Sequence, residues 1–314
     1  LNIRKTDMPT NHGIHTIDTG FVRPQFDAAY LIVENGRGAF IDCGTNHSVP
    51  RMLAALDAAA LTPADVDWLI LTHVHLDHAG GAGELIARLP NARLAVHPRG
   101  ARHMIDPSKL WAGASAVYGE AVMEREYGRL KPIPAQRVTE AVDGHVIDLA
   151  GRPLRCIDTP GHAKHHLSVY DAWANVCFTG DVFGLSYREF DNENGPFIVP
   201  TTSPVQFDPE ALHASIERLL SLKPTAMYLT HFNRVEQLEK LALDLHEQID
   251  AMVALAQDAI GKPDRHAVIL EALTELYATR AEAHGWKKAR ERVDEILHMD
   301  IELNAQGLEV WLDR

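Results

Sequence analysis

At 314 residues, with 46% hydrophobic and 23% charged side chains, the chain has room for one large or two smaller globular domains. Forty-three acidic against 30 basic residues leave a net charge of −13, so no global basic field draws in nucleic acid or an anionic membrane surface. Three scattered cysteines (Cys43, Cys156, Cys177) make no disulfide framework, no apolar run approaches the ~20 residues of a membrane span, and the N-terminus lacks a charged-then-apolar leader pattern, so the expected location is the cytoplasm.

In chain order, Ile14 to Phe21 and Ala28 to Asp42 read as paired strands, with Glu34-Asn-Gly-Arg-Gly as the hairpin turn. The second of these runs ends on a carboxylate, Asp42. Alanine-rich Pro50 to Ala60 predicts a helix, and Thr62-Pro-Ala-Asp a helix start. Val66 to Thr72 is an apolar strand leading into His73-Val-His75-Leu-Asp77-His78, four side chains with lone pairs within six residues. A buried strand that delivers three imidazoles and a carboxylate at its C-terminal end suits zinc or a similar borderline ion. Gly80-Gly-Ala-Gly lacks the Gly-Lys-Ser/Thr of a phosphate loop and reads as a tight turn into a helix over Gly83 to Leu89; Arg93 to Val96 is a short strand. Gly100 to Lys131, with Trp111, Tyr118, Met123 and Tyr127, predicts broken helices that wall a pocket or pack down on the domain.

Strands are then expected at Val146–Leu149, Leu154–Ile157, Leu167–Tyr170 and Val176–Thr179. Thr159-Pro-Gly-His162-Ala-Lys-His165-His166 lies between the second and third, and Gly180-Asp181 follows the fourth. Ser186 to Pro204 reads as a long loop over the site. Asp208-Pro-Glu opens a helix to Leu220, and Met227 to Thr230 is a strand ending at His231. Beyond Val235 the pattern turns amphipathic: Leu238, Leu241, Leu245, Ile249, Met252 and Leu255 predict one helix. Asp264 is expected to cap a second, from about His266 to His284, and a third is expected around Lys287 to His298. The division is a mixed α/β domain over residues 1–234 and a helical C-terminal extension over 235–314. The long helix after Val235 offers a homodimer interface.

Five predicted strand ends therefore carry metal-type side chains: Asp42, the His73 cluster, His162, Asp181 and His231. Layered α/β folds place their sites at such ends. In this ordered set the chain resembles the metallo-β-lactamase superfamily, whose His-x-His-x-Asp-His signature stands here as His73 to His78, with Gly161-His162, Gly180-Asp181 and Thr230-His231 as later motifs and Asp42 at the first. The resemblance spans roughly residues 14–232. It implies a four-layer αβ/βα sandwich with two divalent metal ions at one edge of the sheets, zinc first and iron or manganese as alternatives. It further implies that His73, His75 and His162 hold one ion and Asp77, His78 and His231 the other. Asp181 would bridge the two, and Asp42 would orient ligands or water from behind. Two such ions can activate water between them and polarise a carbonyl or phosphoryl oxygen, with Asp77 and Asp181 as the catalytic carboxylates.

The reading that follows is a dinuclear metal-dependent hydrolase of a small ester-type substrate, a thioester or lactone. The alternatives are a non-haem di-iron oxidoreductase on the same scaffold and a phosphodiesterase or nuclease. Flavin-linked di-iron members have glutamate where this chain has His75, and Val182-Phe183-Gly184 replaces the tyrosine of the lactonases. Tyr187 and Tyr228 are candidate oxyanion donors, and His165 and His166 candidate pocket residues.

Overall fold

The computed structural model describes residues 12–202 and 205–314, excepting the side chains of 117 and 118. The N-terminal stretch read for a leader, the loop's last residues Ser203 and Pro204, and the side chain of Tyr118 lie outside the described part.

Two six-stranded sheets account for the α/β reading. In the first, β1 (Ile14–Asp18), β2 (Ala28–Glu34) and β3 (Arg37–Ile41) form an antiparallel meander turning at Asn35-Gly36. Then β4 (Val66–Ile70), β5 (Arg93–Val96) and β6 (Val138–Glu140) add in parallel. Parallel neighbours need crossovers. These carry α1 (Val49–Ala58), α2 (Leu76–Ala79), α3 (Ala82–Arg88), α4 (Pro98–Ile105), α5 (Ser108–Tyr118) and α6 (Glu120–Glu126). The second sheet runs β7 (Val146–Leu149), β8 (Arg152–Asp158), β9 (Leu167–Asp171) and β10 (Val176–Gly180), all antiparallel. Past α7 (Pro209–Ser221), β11 (Ala226–Leu229) joins β10 in parallel and β12 (Asn233–Val235) closes the edge. Three long helices end the chain: α8 (Leu238–Asp258), α9 (Arg265–Ala283) and α10 (Ala289–Leu312).

The first sheet is buried on both faces, and its alternation sorts side chains between two cores. Ala29, Leu31, Phe40, Leu69 and Leu94 face outward onto Met52 and Leu56 of α1, Leu85 and Ile86 of α3 and Met104 of α4. Tyr30, Ile32, Ile41 and Ile70 point the other way, into a core shared with Cys156, Val169 and Phe178 of the second sheet. Tyr30 spans the gap, its hydroxyl donating to the Leu229 carbonyl. The second sheet's far side is covered by Leu212, Ile216 and Leu219 of α7 and by Leu241, Leu245 and Ile249 of α8, which makes four layers. The three C-terminal helices belong to that same apolar core and have no separate one.

Three local expectations change. Thr62-Pro-Ala-Asp makes one 3-10 turn (Pro63–Asp65) and no longer helix, because β4 begins at Val66. Asp264 lies in the left-handed region, and its side chain does not cap α9. The last helix runs on to Leu312, well past His298. Its periodicity hides because Asp300 and Asn304 sit on its buried face among Leu297, Ile301, Ala305 and Leu308. Both have work there. Asn304 accepts from the Thr202 amide (2.7 Å) and donates to the Pro200 carbonyl (3.1 Å), while Asp300 accepts from the Tyr187 hydroxyl (3.0 Å). The loop after Ser186 is thus tied to α10, with one 3-10 turn (Arg188–Phe190) of its own.

Candidate metal centre

Strand ends from both sheets meet at one edge, and each brings the residue that its sequence position predicts. After β4 the chain bends at Thr72 and leaves the sheet through His73 and Val74, with His75 as the extended N-cap of α2 and Asp77 and His78 within that single turn. His162 comes from the β8–β9 loop, Asp181 directly after β10, and His231 two residues after β11.

Two triads form. His73 Nε2 lies 2.9 Å from His75 Nδ1, and His162 Nε2 lies 3.0 Å from the same atom. On the other side, His231 Nε2 and His78 Nε2 stand 3.4 Å and 3.6 Å from Asp77 Oδ2. Asp181 lies between them. Its Oδ2 faces His162 Nε2 at 3.4 Å and His73 Nε2 at 4.0 Å, while its Oδ1 faces His78 Nε2 at 3.1 Å and His231 Nε2 at 3.8 Å. His73/His75/His162, Asp77/His78/His231 and the linking His73/His78/Asp181 are each compact enough to hold an ion.

The outward ring atoms fix which nitrogen carries the proton. His231 Nδ1 must donate to the Phe26 carbonyl (3.0 Å), and His78 Nδ1 to Asp42 Oδ2 (2.8 Å). Thr72 Oγ1 gives its hydrogen to Asp42 (2.8 Å), so it accepts from His73 Nδ1 (3.1 Å). When neutral, all three rings present the lone pair of Nε2 inward. His78 Nε2 and Asp181 Oδ1 are buried and make no hydrogen bond of acceptable geometry. Buried lone pairs converging without donors lack only a cation. The donor set fits divalent metal.

Asp42 is fully buried and, besides His78, takes the amide and hydroxyl of Thr72 (both 2.8 Å) and the Thr230 hydroxyl (3.2 Å). One carboxylate thereby ties the ends of three strands together. His166 is also buried, its ring 5.1 Å from that of His73, but its nitrogens are used elsewhere: it donates to Thr159 Oγ1 (2.9 Å) and accepts from the Asp181 amide (3.3 Å), fixing that carboxylate's backbone. Gly180 makes room for this contact. At φ +51°, a Cβ there would lie 2.6 Å from His166 Nε2.

Burial, and then the neighbouring histidines, push His73 well below its usual range; burial and His162 take His75 down to about 3. His162 is likewise lowered, chiefly by burial. Burial also pulls on His78 and His231. There, however, Asp181, Asp77 and Asp42 raise His78 well above normal, and Asp181, Asp77 and Asp27 lift His231 to about 9. For Asp77 and Asp181 burial acts upward, but the facing histidines outweigh it and hold both carboxyls low.

Of the other candidates, Tyr187 stands beside the site, stacked on Phe26 (5.2 Å) and edge-on to His231 (6.4 Å). Its hydroxyl is spent on Asp300. Tyr228 does not reach the site: it packs between Phe178 and Tyr30 in the inter-sheet core. His165 flanks the first triad, its ring 5.5 Å from that of His75. Sequence reasoning missed Asp27, buried beside His231 with Oδ2 bound by Thr19 (2.9 Å) and burial lifting its carboxyl to about 7. It also missed Asp300, raised to about 6 by burial. Each is a lone acid with no pattern around it.

The family model of the metallo-beta-lactamase superfamily matches residues 22–231. The metallo-beta-lactamase fold-containing protein ST1585 of Sulfurisphaera tokodaii is 31% identical over 224 residues, 70% of this chain and 78% of that protein. The crystal structure of ST1585 from Sulfolobus tokodaii superposes with a TM-score of 0.65 at 28% identity, covering 95% of this chain and 98% of that one. A hydroxyacylglutathione hydrolase of Acidiphilium cryptum is 28% identical over 202 residues, 64% of this chain and 62% of that enzyme, less than two-thirds of its length. An atrochrysone carboxyl ACP thioesterase of Aspergillus fumigatus is 27% identical over 162 residues, 52% of this chain and 41% of that one. Motifs, two-sheet frame and likenesses agree, and the chain belongs to the metallo-beta-lactamase superfamily.

Proposed function

We propose that the chain is a dinuclear metal-dependent hydrolase of small ester-type substrates, thioesters before lactones, with zinc as its metal. The observation that carries this reading is the orientation of Asp181, with one carboxylate oxygen toward each triad. His73, His75 and His162 would hold one cation and Asp77, His78 and His231 the other, with Asp181 shared. Two divalent cations so held would acidify a water and polarise the substrate carbonyl.

The chain's own groups divide the remaining work. Asp42 and the Phe26 carbonyl fix the rings of His78 and His231, and His166 fixes the backbone of Asp181. Asp77 Oδ2 faces its histidines, leaving Oδ1 to take the proton of the attacking water and hand it to the leaving group. Its side chain is 24% exposed, against 6% for Asp181, so it is the site carboxylate that substrate and solvent reach. Tyr187 and Asp300 join the centre to α10, so residues 235–314 serve as a wall behind the 186–202 loop. The thioester preference takes its support from the two thioesterase-type relatives.

A hydrolysis screen over thioesters, lactones, phosphodiesters and β-lactams, on protein loaded with zinc, iron or manganese, tests the reading. Thioester turnover by the zinc form is expected; oxygen-dependent turnover by the iron form with no hydrolysis would overturn it. No helix among the described residues is long and apolar enough to cross a membrane.

A further inference from the structure

A second feature lies one side chain away from the first triad. His165, whose ring is 5.5 Å from His75, forms the inner wall of a cavity of about 400 Å³. The other walls carry Arg99, Arg102 and His103 of α4, Lys164 of the β8–β9 loop, and Gln206. Arg99, Arg102 and His103 stand at i, i+3 and i+4 and so share one helix face. That face approaches closely because residue 100 is glycine: a Cβ there would lie 2.8 Å from Val74 and 3.0 Å from Val96. Gln206 accepts from the Lys164 amide (2.6 Å), which fixes the loop opposite.

In a chain of charge −13 most arginines are paired with carboxylates, yet among the described residues Arg99, Arg102 and Lys164 have no ion pair, and no carboxylate lines the cavity. Asp158, at the end of β8, lies 3.3 Å from His97, which also caps α4 by accepting from the Arg99 amide (3.1 Å). Burial, and after it Arg102 and Lys109, push His103 down. Three exposed cations without an ion pair, lining one concave space beside the candidate centre, make a receptor for an anion.

We propose that this cavity is the specificity subsite for an oxyanion, phosphate or carboxylate, carried by the substrate some way from the scissile carbonyl. The proposal rests on the hydrolase reading for its substrate, though not for its charge pattern.

The test compares three thioesters on the zinc-loaded full chain: acetyl-coenzyme A with phosphates, S-acetylglutathione with carboxylates, and the neutral S-acetyl-N-acetylcysteamine. One or both anionic thioesters should exceed the neutral one in kcat/KM by about tenfold or more, at about twofold to fivefold per partly exposed cation. Whichever of the two shows the advantage identifies the anion. R99Q/R102Q and K164Q should each shrink that ratio through KM, and added salt should shrink it in the parent. Equal kcat/KM for all three substrates, or an advantage that R99Q/R102Q leaves intact, would overturn the subsite. Calorimetric titration with free coenzyme A and glutathione separates the two readings. Binding that R99Q/R102Q weakens, with no thioester hydrolysed, would retain the subsite and reject the thioester preference. Failure of both compounds to bind would reject the subsite alone.

Discussion

The two halves of the metal centre use similar side chains and sit in opposite electrostatic states. His73, His75 and His162 meet one another with only one edge of Asp181 nearby, and their protons are driven off. His78 and His231 face Asp77 and the other edge of Asp181, with Asp42 and Asp27 behind, and they hold their protons firmly. The first half is thus a set of free lone pairs awaiting charge, whereas the second has already balanced its carboxylates with protons. A metal would enter the first without having to displace a proton. To enter the second it would have to expel protons.

Removing the link between the halves should have the largest effect. Asp181→Ala should lower bound metal from two ions per chain to at most one and cut hydrolysis by about a thousandfold; metal analysis showing two ions would break the assignment of the bridge. Asp42→Asn takes the negative charge from behind His78 while leaving the first triad's inward atoms in place. It should weaken the second ion by about 10–100-fold and the first much less, as chelator competition would read. A uniform loss would mean that Asp42 serves both halves.

Acidity separates the halves next. Since His231 is raised to about 9, protons compete with metal throughout the neutral range, and second-site affinity should rise about tenfold per pH unit per displaced proton from pH 6 to 8. The first site, with His75 lowered to about 3, should stay flat over that range. Equal slopes in chelator titrations at several pH values would erase the contrast.

The smallest effect concerns the wall behind the second half. Asp300 has a folded-state pKa near 6 against an unfolded value of about 3.9. The folded chain therefore binds this proton more tightly, and stability falls as pH rises from about 4 to about 6. Asp300→Asn, which can still accept from Tyr187, should recover about 1–3 kcal/mol at pH 7 and almost nothing at pH 4. Urea unfolding of the metal-free protein at the two pH values would check this.

Much of the site is legible in the sequence because its residues follow apolar strands, and a strand that ends in a ligand leaves a visible seam. Asp42, His73 to His78, His162, Asp181 and His231 all fall at such seams and all converge. The roles of the two halves are not legible, because they depend on which edge of Asp181 each ring meets. Tyr228 illustrates another limit: in the fully buried β11 a tyrosine looks the same whether it serves the core or a pocket, and its packing on Phe178 decides for the core. The end of α10 escapes for a related reason. Its buried face is partly polar, so Asp300 and Asn304 read as surface until the 186–202 loop is seen resting on them.

The order of the strands bears on how the protein is made. The first sheet is complete at Glu140 and brings four of the seven proposed ligands with it, whereas the other three arrive at positions 162, 181 and 231. At ~5–20 residues per second, a ribosome needs about 8–30 s to pass from His78 to His231. For that interval the nascent chain displays a histidine-rich turn that can chelate metal loosely but cannot enclose it. With the second sheet in place, the proposed ions would be held by residues from both layers. Late addition of a chelator should therefore loosen the edge where the sheets meet before it disturbs either sheet.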